Sequence, residues 1–206
     1  MQLDPDQVVG PEMYRFLISA VVPRPIAFVS TRSTAGALNL APFSYFNAIS
    51  SVPPLVAIAI VDRAGDDKDT LRNIRETGEF VVNLVCEPML PAMTKTAGEW
   101  PRDTNEFEVA GFTPAPSERV APPYVRESPL QLECRLHREV PLGNSFLMVG
   151  EVVFARVSDD VLTDGKVDAL KLLPVGRLGG ENYSLLREVV KEPRPRVSRA
   201  SGSPLA

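Results

Sequence analysis

The hydrophobic residues of the chain fall into short runs that predict strands more often than helices. Residues 55–61 are continuously apolar and residues 80–85 are interrupted only by Asn83, which is typical of strands buried on both faces. Residues 130–140 instead alternate apolar and polar positions, which predicts a strand with one buried face. Four further runs predict strands at 26–31, 38–42, 146–157 and 170–173. The pattern therefore predicts six or seven strands.

Helices are predicted beside these strands, without regular alternation. Residues 8–22 carry Tyr14, Leu17 and Ile18 at helical spacing. Residues 69–77 start at an acidic residue and are followed by Gly78, which are the start and stop signals of a short helix. Further helices are predicted at 89–97 and 183–190, and 98–124 is a long proline-rich excursion that we expect to cover a site or form a contact.

This order predicts a mainly β fold with peripheral helices, built as a Greek-key antiparallel barrel. A doubly wound parallel sheet would need strands and helices in alternation, and no G-x-G-x-x-G follows the first strand. We expect one domain over 1–190. Residues 191–206 combine prolines with Ser, Arg and Gly, which predicts a flexible C-terminal tail.

Composition narrows the classes of function. The net charge of −4 and the pI near 5.2 argue against nucleic-acid binding. The longest apolar run, 55–61, is too short to cross a bilayer, and no signal peptide is evident, so we expect a cytoplasmic protein with no membrane partner. Cys86 and Cys134 lie outside any metal-binding pattern and are interpreted as buried free thiols.

Conventional catalytic constellations are nearly absent. His137 is the only histidine, and it falls within a predicted strand with no G-x-S-x-G motif anywhere in the chain. We interpret it as a structural or surface residue, and we predict neither a metal site nor catalytic side chains.

Two segments point instead to a bound anion beside a planar ligand. Lys68, Asp69 and Thr70 open a predicted helix, whose free N–H groups and positive dipole end favour phosphate. The alternative is that Asp69 or Thr70 only caps the helix.

The second segment, residues 39–50, mixes aromatic residues with short polar ones. Asn39, Ser44 and Asn47 offer adaptable hydrogen bonding, and Pro42 removes one backbone donor. Such a mixture suits a ligand edge, although an aromatic core patch with polar turns has the same composition.

The chain resembles the flavin reductase-like family, whose fold is the FMN-binding split β-barrel. The resemblance covers nearly the whole chain before the tail, and its specificity lies in the order and spacing of several motifs. They are Pro23-Arg24-Pro25-Ile26-Ala27-Phe28-Val29-Ser30-Thr31, Asn39-Leu40-Ala41-Pro42-Phe43-Ser44, Pro53-Pro54, Lys68-Asp69-Thr70 with Asn73-Ile74, Glu79-Phe80-Val81-Val82-Asn83, Gly150-Glu151-Val152, and Arg177-Leu178-Gly179-Gly180 with Tyr183.

The resemblance implies a homodimer with FMN near the subunit boundary, and it assigns site residues by position. Ser30 and Thr31 would lie along the flavin. The isoalloxazine ring and ribityl chain would contact Asn39, Leu40, Ala41, Pro42, Ser44, Asn47, Ala48 and Ile49. Arg63, Lys68 and Thr70 would hold the phosphate. Asn144 would approach the ring, in a turn where some relatives carry a histidine that this chain lacks.

The resemblance also implies the chemistry, which is hydride transfer from NADH or NADPH to flavin N5, with reduced flavin passed to a partner oxygenase or redox protein. Such a reaction needs no general base. The alternative is a non-enzymatic FMN-binding electron carrier or flavin-storage protein, which has the same FMN site. An activity like that of pyridoxamine-phosphate oxidase, on a related barrel, has no positive motif here.

Overall fold

The computed structural model describes residues 2–61, 67–102, 104–193 and 195. Its α-helices are α1 (Gly10–Ala20), α2 (Asp69–Thr77), α3 (Leu90–Thr96), α4 (Glu106–Ala110) and α5 (Ala169–Leu172). Its strands are β1 (Arg24–Pro25), β2 (Ala27–Arg32), β3 (Leu38–Phe43), β4 (Phe46–Ser51), β5 (Pro54–Val61), β6 (Glu79–Leu84), β7 (Pro114–Ala115), β8 (Tyr124–Val125), β9 (Leu130–Leu142), β10 (Ser145–Val157), β11 (Leu162–Thr163), β12 (Lys166–Val167), β13 (Val175–Arg177) and β14 (Tyr183–Leu185). Short 3₁₀ helices lie at Glu87–Met89 and Asp159–Val161.

Seven strands form one antiparallel sheet in the order β3-β2-β6-β9-β10-β5-β4. Its two edge strands, β3 and β4, follow each other in the chain and are joined only by Ser44 and Tyr45. The amide of Ala59 in β5 donates to the carbonyl of Tyr45 at 2.8 Å, which fixes the connection between the two edge strands to β5. The sheet therefore curls into a barrel, as the sequence predicts.

The interior of the barrel is filled from both the strands and α2. Phe80, Ile58 and Met148 are fully buried there, and Leu71 and Ile74 of α2 pack against them. Gly150 permits this packing, because a Cβ at that position would lie 2.3 Å from Cζ of Phe80. The helix predicted at 69–77 thus closes one end of the barrel.

A second core lies on the outer face of β2 and β3, under α3 and α4. Phe28 packs edge to face on Phe112 with 5.3 Å between ring centroids, and Met93 and Phe107 are buried beside them. Because alternate residues of β2 enter the two cores, this strand is buried on both faces, which explains the apolar run at 26–29.

The excursion at 98–124 contains α4 and β7, and β7 pairs with β8, which begins at its end. Its later half is fixed to the sheet by buried polar side chains. The carboxylate of Glu133 accepts hydrogen bonds from the amides of Glu118 and Arg119, and the Ser30 hydroxyl donates to the carbonyl of Pro123 at 2.6 Å. This half is therefore a structural cover, while residues 98–102 take part in a cleft described below.

Two predicted elements at the C-terminal side are wrong. Residues 170–173 fall in α5, because the Asp168 side chain caps a helix by accepting from the amide of Leu170 at 2.9 Å. Residues 183–190 begin as strand β14, which pairs with β13, and then continue without regular structure. In the second case, strand pairing overrides the helical spacing of the apolar residues. The sequence prediction also missed β4, whose edge position leaves most of its residues exposed.

Other expectations are met within a few residues. The helices predicted at 8–22, 69–77 and 89–97 correspond to α1, α2 and α3. Cys134 is buried and Cys86 is half-buried. Most of the tail predicted at 191–206 lies outside the described residues. Among the helices that the structure describes, none has the length and apolar character to span a membrane.

Candidate functional site

A cleft runs from the N-terminal helix to the first turn of α2, and it has two chambers. The larger, which we call the open chamber, has a volume of about 380 Å³. Its walls come from α1, β1, the end of β3, α3 and the β13–β14 hairpin. The charged and aromatic side chains that line it are Tyr14, Arg24, Phe43, Tyr45, Lys68, Arg177 and Tyr183.

The smaller chamber, which we call the phosphate chamber, has a volume of about 190 Å³ and lies at the N-terminus of α2. It shares Pro42, Phe43, Lys68 and Ala97 with the open chamber, so the two adjoin. Residues of the excursion, among them Trp100 and Arg102, form its outer wall.

The first turn of α2 lines this chamber. Lys68 is the N-cap residue and its side chain makes no capping hydrogen bond, whereas its ammonium lies 5.4 Å from the centroid of the Phe43 ring. The alternative that Asp69 or Thr70 caps the helix is therefore not what the structure shows. An uncapped helix N-terminus presents N–H groups and partial positive charge to an anion.

Thr70 is fixed beside these amides by a buried hydrogen-bond network. Its hydroxyl accepts from Nδ2 of Asn39 at 2.8 Å, and Nδ2 of Asn73 donates to the hydroxyl of Thr31 at 3.0 Å. Asn39 also lies 3.3 Å from that Thr31 hydroxyl. Since the side-chain amide of Asn39 donates to the Thr70 hydroxyl, the Thr70 proton remains available to a ligand oxygen in the chamber.

Acidic residues also line the phosphate chamber, and their charges are partly compensated. The carboxylate of Asp69 lies 3.3 Å from Arg72 and 3.9 Å from Arg102. Glu106 accepts a hydrogen bond from the Leu40 amide at 2.9 Å. Burial raises the pKa of the Glu106 carboxyl, an effect that this hydrogen bond opposes and the nearby Asp69 charge reinforces.

The open chamber has the opposite character. Among the described residues, its lining includes three cations, Arg24, Lys68 and Arg177, and no carboxylate. Burial raises the pKa of Tyr45, the Tyr14 side chain adds to the rise, and the charge of Arg24 opposes it. The Tyr45 phenol is therefore neutral at physiological pH. A planar ligand that carries negative charge suits such a chamber.

The structure brings together six of the sequence-predicted site residues. Asn39, Ala41, Pro42, Lys68 and Thr70 line the phosphate chamber, and Ser44, together with Pro42 and Lys68, lines the open chamber. This group confirms that the two predicted segments meet in space. Its binding of a flavin stays a prediction.

The other predicted residues line neither chamber. Ser30, Thr31 and Leu40 are buried behind the cleft, where Ser30 and Thr31 hold other elements in place and Leu40 joins the outer core. Asn47, Ala48 and Ile49 are exposed on the edge strand β4. Their predicted contact with the ring would require a different approach of the flavin.

The last two predicted site residues are Arg63 and Asn144. Arg63 lies outside the described residues. Asn144 is exposed in the β9–β10 turn, and its neighbour Ser145 pairs with Val61, which lines the open chamber. Asn144 is thus close to the rim without lining the cleft.

Several cleft residues were not predicted as site residues. They are Tyr14, Arg24, Tyr45, Trp100, Arg177 and Tyr183. Arg24, Arg177 and Tyr183 did stand within the motifs of the resemblance, so a signal for them existed. Tyr14 and Trp100 come from segments that only the tertiary fold brings to the cleft.

The remaining candidate chemistry lies elsewhere. His137 is exposed at an irregularity of the β9–β10 pair, with its ring nitrogen 4.0 Å from the Glu151 carboxylate. Within the described ranges, no three His, Cys, Asp or Glu side chains cluster in a way that could hold a metal ion.

The chain is similar in sequence and in fold to known proteins. Residues 19–171 match the flavin reductase like domain. An uncharacterised protein of Halalkalibacterium halodurans is 41% identical over 97% of this chain and 99% of its own length. The crystal structure of nitrilotriacetate monooxygenase component B from Bacillus cereus is 36% identical, with a TM-score of 0.90 over 93% of this chain and 98% of that one. That of 2-nitrobenzoate 2-nitroreductase NbaA from Pseudomonas fluorescens is 30% identical, with a TM-score of 0.87 over 98% of this chain and 100% of that one.

Proposed function

Since the chain belongs to the flavin reductase-like family, we propose that it binds FMN in this cleft and reduces it with NADH or NADPH. The observation on which the proposal rests is that the two chambers adjoin and share four lining residues. An uncapped helix N-terminus with Lys68 and Thr70 lies at one end, and a chamber lined by tyrosines and cations lies at the other.

The side chains present fit a flavin mononucleotide. Lys68, Thr70 and the first amides of α2 would hold the phosphate by charge-assisted hydrogen bonds. Pro42 and Phe43, which both chambers share, would contact the ribityl chain, and Ser44 and Tyr45 would border the ring. When bound, FMN would supply the acceptor for hydride, and the protein would supply position and electrostatics.

Flavin specificity follows from the size and charge of the phosphate chamber. Its volume of about 190 Å³ is small, and it is lined by the acidic residues Asp67, Asp69, Glu99 and Glu106. Such a chamber suits the single phosphate of FMN better than the two phosphates of FAD. We therefore favour FMN over FAD.

The proposal extends to assembly and to partners. Apolar side chains of α1 are exposed, including Tyr14, Phe16 and Leu17, and Ile49 and Val52 are exposed around β4. These surfaces suit a homodimer, which light scattering at several protein concentrations would test. A monomer at all concentrations would refute it.

The similarity to a monooxygenase component supports delivery of reduced flavin to a partner oxygenase.

An anaerobic titration tests the activity. The purified protein is mixed with FMN, its visible spectrum is recorded, and NADH or NADPH is added. Rapid bleaching of the flavin band is expected. A bound flavin that neither nicotinamide reduces would contradict the reductase and leave an electron carrier, and a protein that does not bind FMN would contradict the site.

A pair of substitutions tests the phosphate end. Lys68→Ala with Thr70→Ala removes two charge-assisted hydrogen bonds, which should weaken FMN about 100-fold and leave riboflavin almost unchanged. Lys171→Ala with Thr163→Ala changes the same residue types away from the cleft and should leave both affinities unchanged. Equal losses for FMN and riboflavin would refute the phosphate role.

A further inference from the structure

Part of the open chamber is built from residues outside the span that matches the family. That span ends at residue 171, yet Arg177, Gly180 and Tyr183 of the β13–β14 hairpin line the chamber. The hairpin therefore supplies one wall of the open chamber from beyond the matched span.

The wall is held in place by close backbone packing. A Cβ on Gly176 would lie 2.4 Å from Oγ of Ser184 and 2.8 Å from Cβ of Pro23. A Cβ on Gly179 would lie 2.7 Å from Oγ of Ser19, and the carbonyl of Leu178 accepts a hydrogen bond from Arg24 at 3.0 Å. The hairpin is thus seated against β1 and the end of α1, so its side chains have defined positions.

Arg177 is the charged group that this wall presents. Its guanidinium carbon lies 4.6 Å from the centroid of the Tyr183 ring, and its terminal nitrogens donate to the Tyr183 hydroxyl and the Gly180 carbonyl. These bonds use two of the five N–H donors of an arginine. Across the described part of the chain, no carboxylate forms an ion pair with Arg177.

The other two cations of the chamber are committed elsewhere. Arg24 donates to three backbone carbonyls and to the Ser44 hydroxyl. Lys68 belongs to both chambers, at the phosphate end. A half-buried, stacked guanidinium with spare donors and no counter-charge is suited to bind an anionic group of a ligand.

We propose that Arg177, stacked on Tyr183, binds the pyrophosphate of the dinucleotide hydride donor. This inference rests on the proposed function, in which the flavin phosphate occupies the other end of the cleft. The donor's pyrophosphate is then the anion left for the open chamber. Arg177 is accordingly a determinant of donor binding and has no part in holding the flavin.

Three hydride donors test the assignment on the FMN-loaded protein. NADH and NADPH both carry the pyrophosphate, and reduced nicotinamide riboside has no phosphate. Arg177→Gln should lower kcat/KM roughly 30-fold for NADH and NADPH and less than about twofold for the riboside, because it removes hydrogen bonds to a charged group. Arg187→Gln removes an exposed arginine that pairs with Glu87 just after the hairpin, and it should behave like the wild type.

Two binding measurements complete the test without turnover. ADP-ribose contains the pyrophosphate and no nicotinamide, so calorimetry should show it bound roughly 30-fold more weakly by Arg177→Gln. The dissociation constant of FMN should not change.

Other outcomes overturn the assignment in distinct ways. An equal loss for all three donors would mean that Arg177 only supports the wall. A loss confined to NADPH would assign it to the 2′-phosphate, and weaker FMN binding would assign it to the flavin. If no donor reduces FMN in the wild type, the proposed function fails, and the ADP-ribose affinities still decide whether Arg177 binds a pyrophosphate.

Discussion

The two ends of the cleft are built in different ways. At the phosphate end, Asn39, Thr70 and Asn73 are nearly fully buried and joined through hydrogen bonds that tie α2 to β2 and β3. At the open end, Tyr14 is about half exposed, and the wall is made by stacked or isolated side chains on α1 and the β13–β14 hairpin.

This difference predicts how well each end of the cleft tolerates substitution. A buried network fixes a small group in one geometry, and altering it costs stability as well as binding. A wall of exposed rings and cations can be altered with little effect on folding, so it is where donor or acceptor selectivity can vary. The phosphate end also lies within the span that matches the family, whereas part of the open wall lies outside it.

Arg24 is the buried exception among the residues of the open end, and its loss should have the largest effect. It is 6% exposed and donates to the carbonyls of Ile18 and Val21 at the end of α1 and of Leu178 in the hairpin loop. Arg24→Ala should lower the free energy of unfolding by about 3 kcal/mol or more, because several buried acceptors lose a charged donor. Urea denaturation measures this, with Arg24→Lys as an intermediate control. A loss below about 1 kcal/mol would show that water replaces the guanidinium.

A matched pair of asparagines sharpens the comparison. Asn39→Ala removes the donor to Thr70, so we expect a loss of about 2 kcal/mol in stability and about tenfold in FMN affinity. Asn182→Ala removes an exposed hydrogen bond to Gly179 in the hairpin loop, at 3.0 Å, and should cost less than about 0.5 kcal/mol. Thermal unfolding and fluorescence titration of FMN check both. Similar losses at the two positions would remove the distinction between the ends.

The sequence predicted the phosphate end better than the open end for a physical reason. Lys68, Asp69 and Thr70 are adjacent in sequence and open a helix whose signals are local, and Asn39 lies in a strand with a recognisable run. The open wall is assembled from α1 and a hairpin that are more than 150 residues apart, and no local pattern joins Tyr14 to Arg177.

The same reasoning explains the errors in the fold. Interior strands were found because they are buried on two faces, while β4 was missed because its side chains are mostly exposed. The segment at 183–190 was misassigned because pairing of β14 with β13 is a tertiary effect. Ser30 was placed along the flavin by resemblance, and in the fold its hydroxyl holds the excursion through Pro123.

Two glycines with a left-handed backbone, one after α2 and one in the hairpin loop, should give equal effects. Gly78 ends α2 with φ of +71°, and Gly180 lies in the hairpin loop with φ of +61°. A Cβ at either position would meet no atom within 4 Å, so the cost of alanine is that of the left-handed backbone alone. Gly78→Ala and Gly180→Ala should each lose about 1 kcal/mol of stability by chemical denaturation. A much larger loss at Gly78 would show that the α2 terminus is coupled to the buried network.

The smallest effect concerns charge in the phosphate chamber. Glu106→Gln keeps an oxygen to accept from the Leu40 amide and removes a negative charge that the flavin phosphate would face beside Asp69. We expect FMN to bind about threefold more tightly at pH 7, within the range of a screened charge pair, and riboflavin to bind unchanged.

Because burial raises the pKa of Glu106, the wild-type carboxyl becomes neutral at a higher pH than an ordinary glutamate as the solution is acidified. The affinities of the two proteins for FMN should therefore converge as the pH falls through that pKa. Fluorescence titration across this range checks the convergence, and weaker FMN binding by the glutamine variant at pH 7 would show that the carboxylate orders the chamber instead of opposing the phosphate.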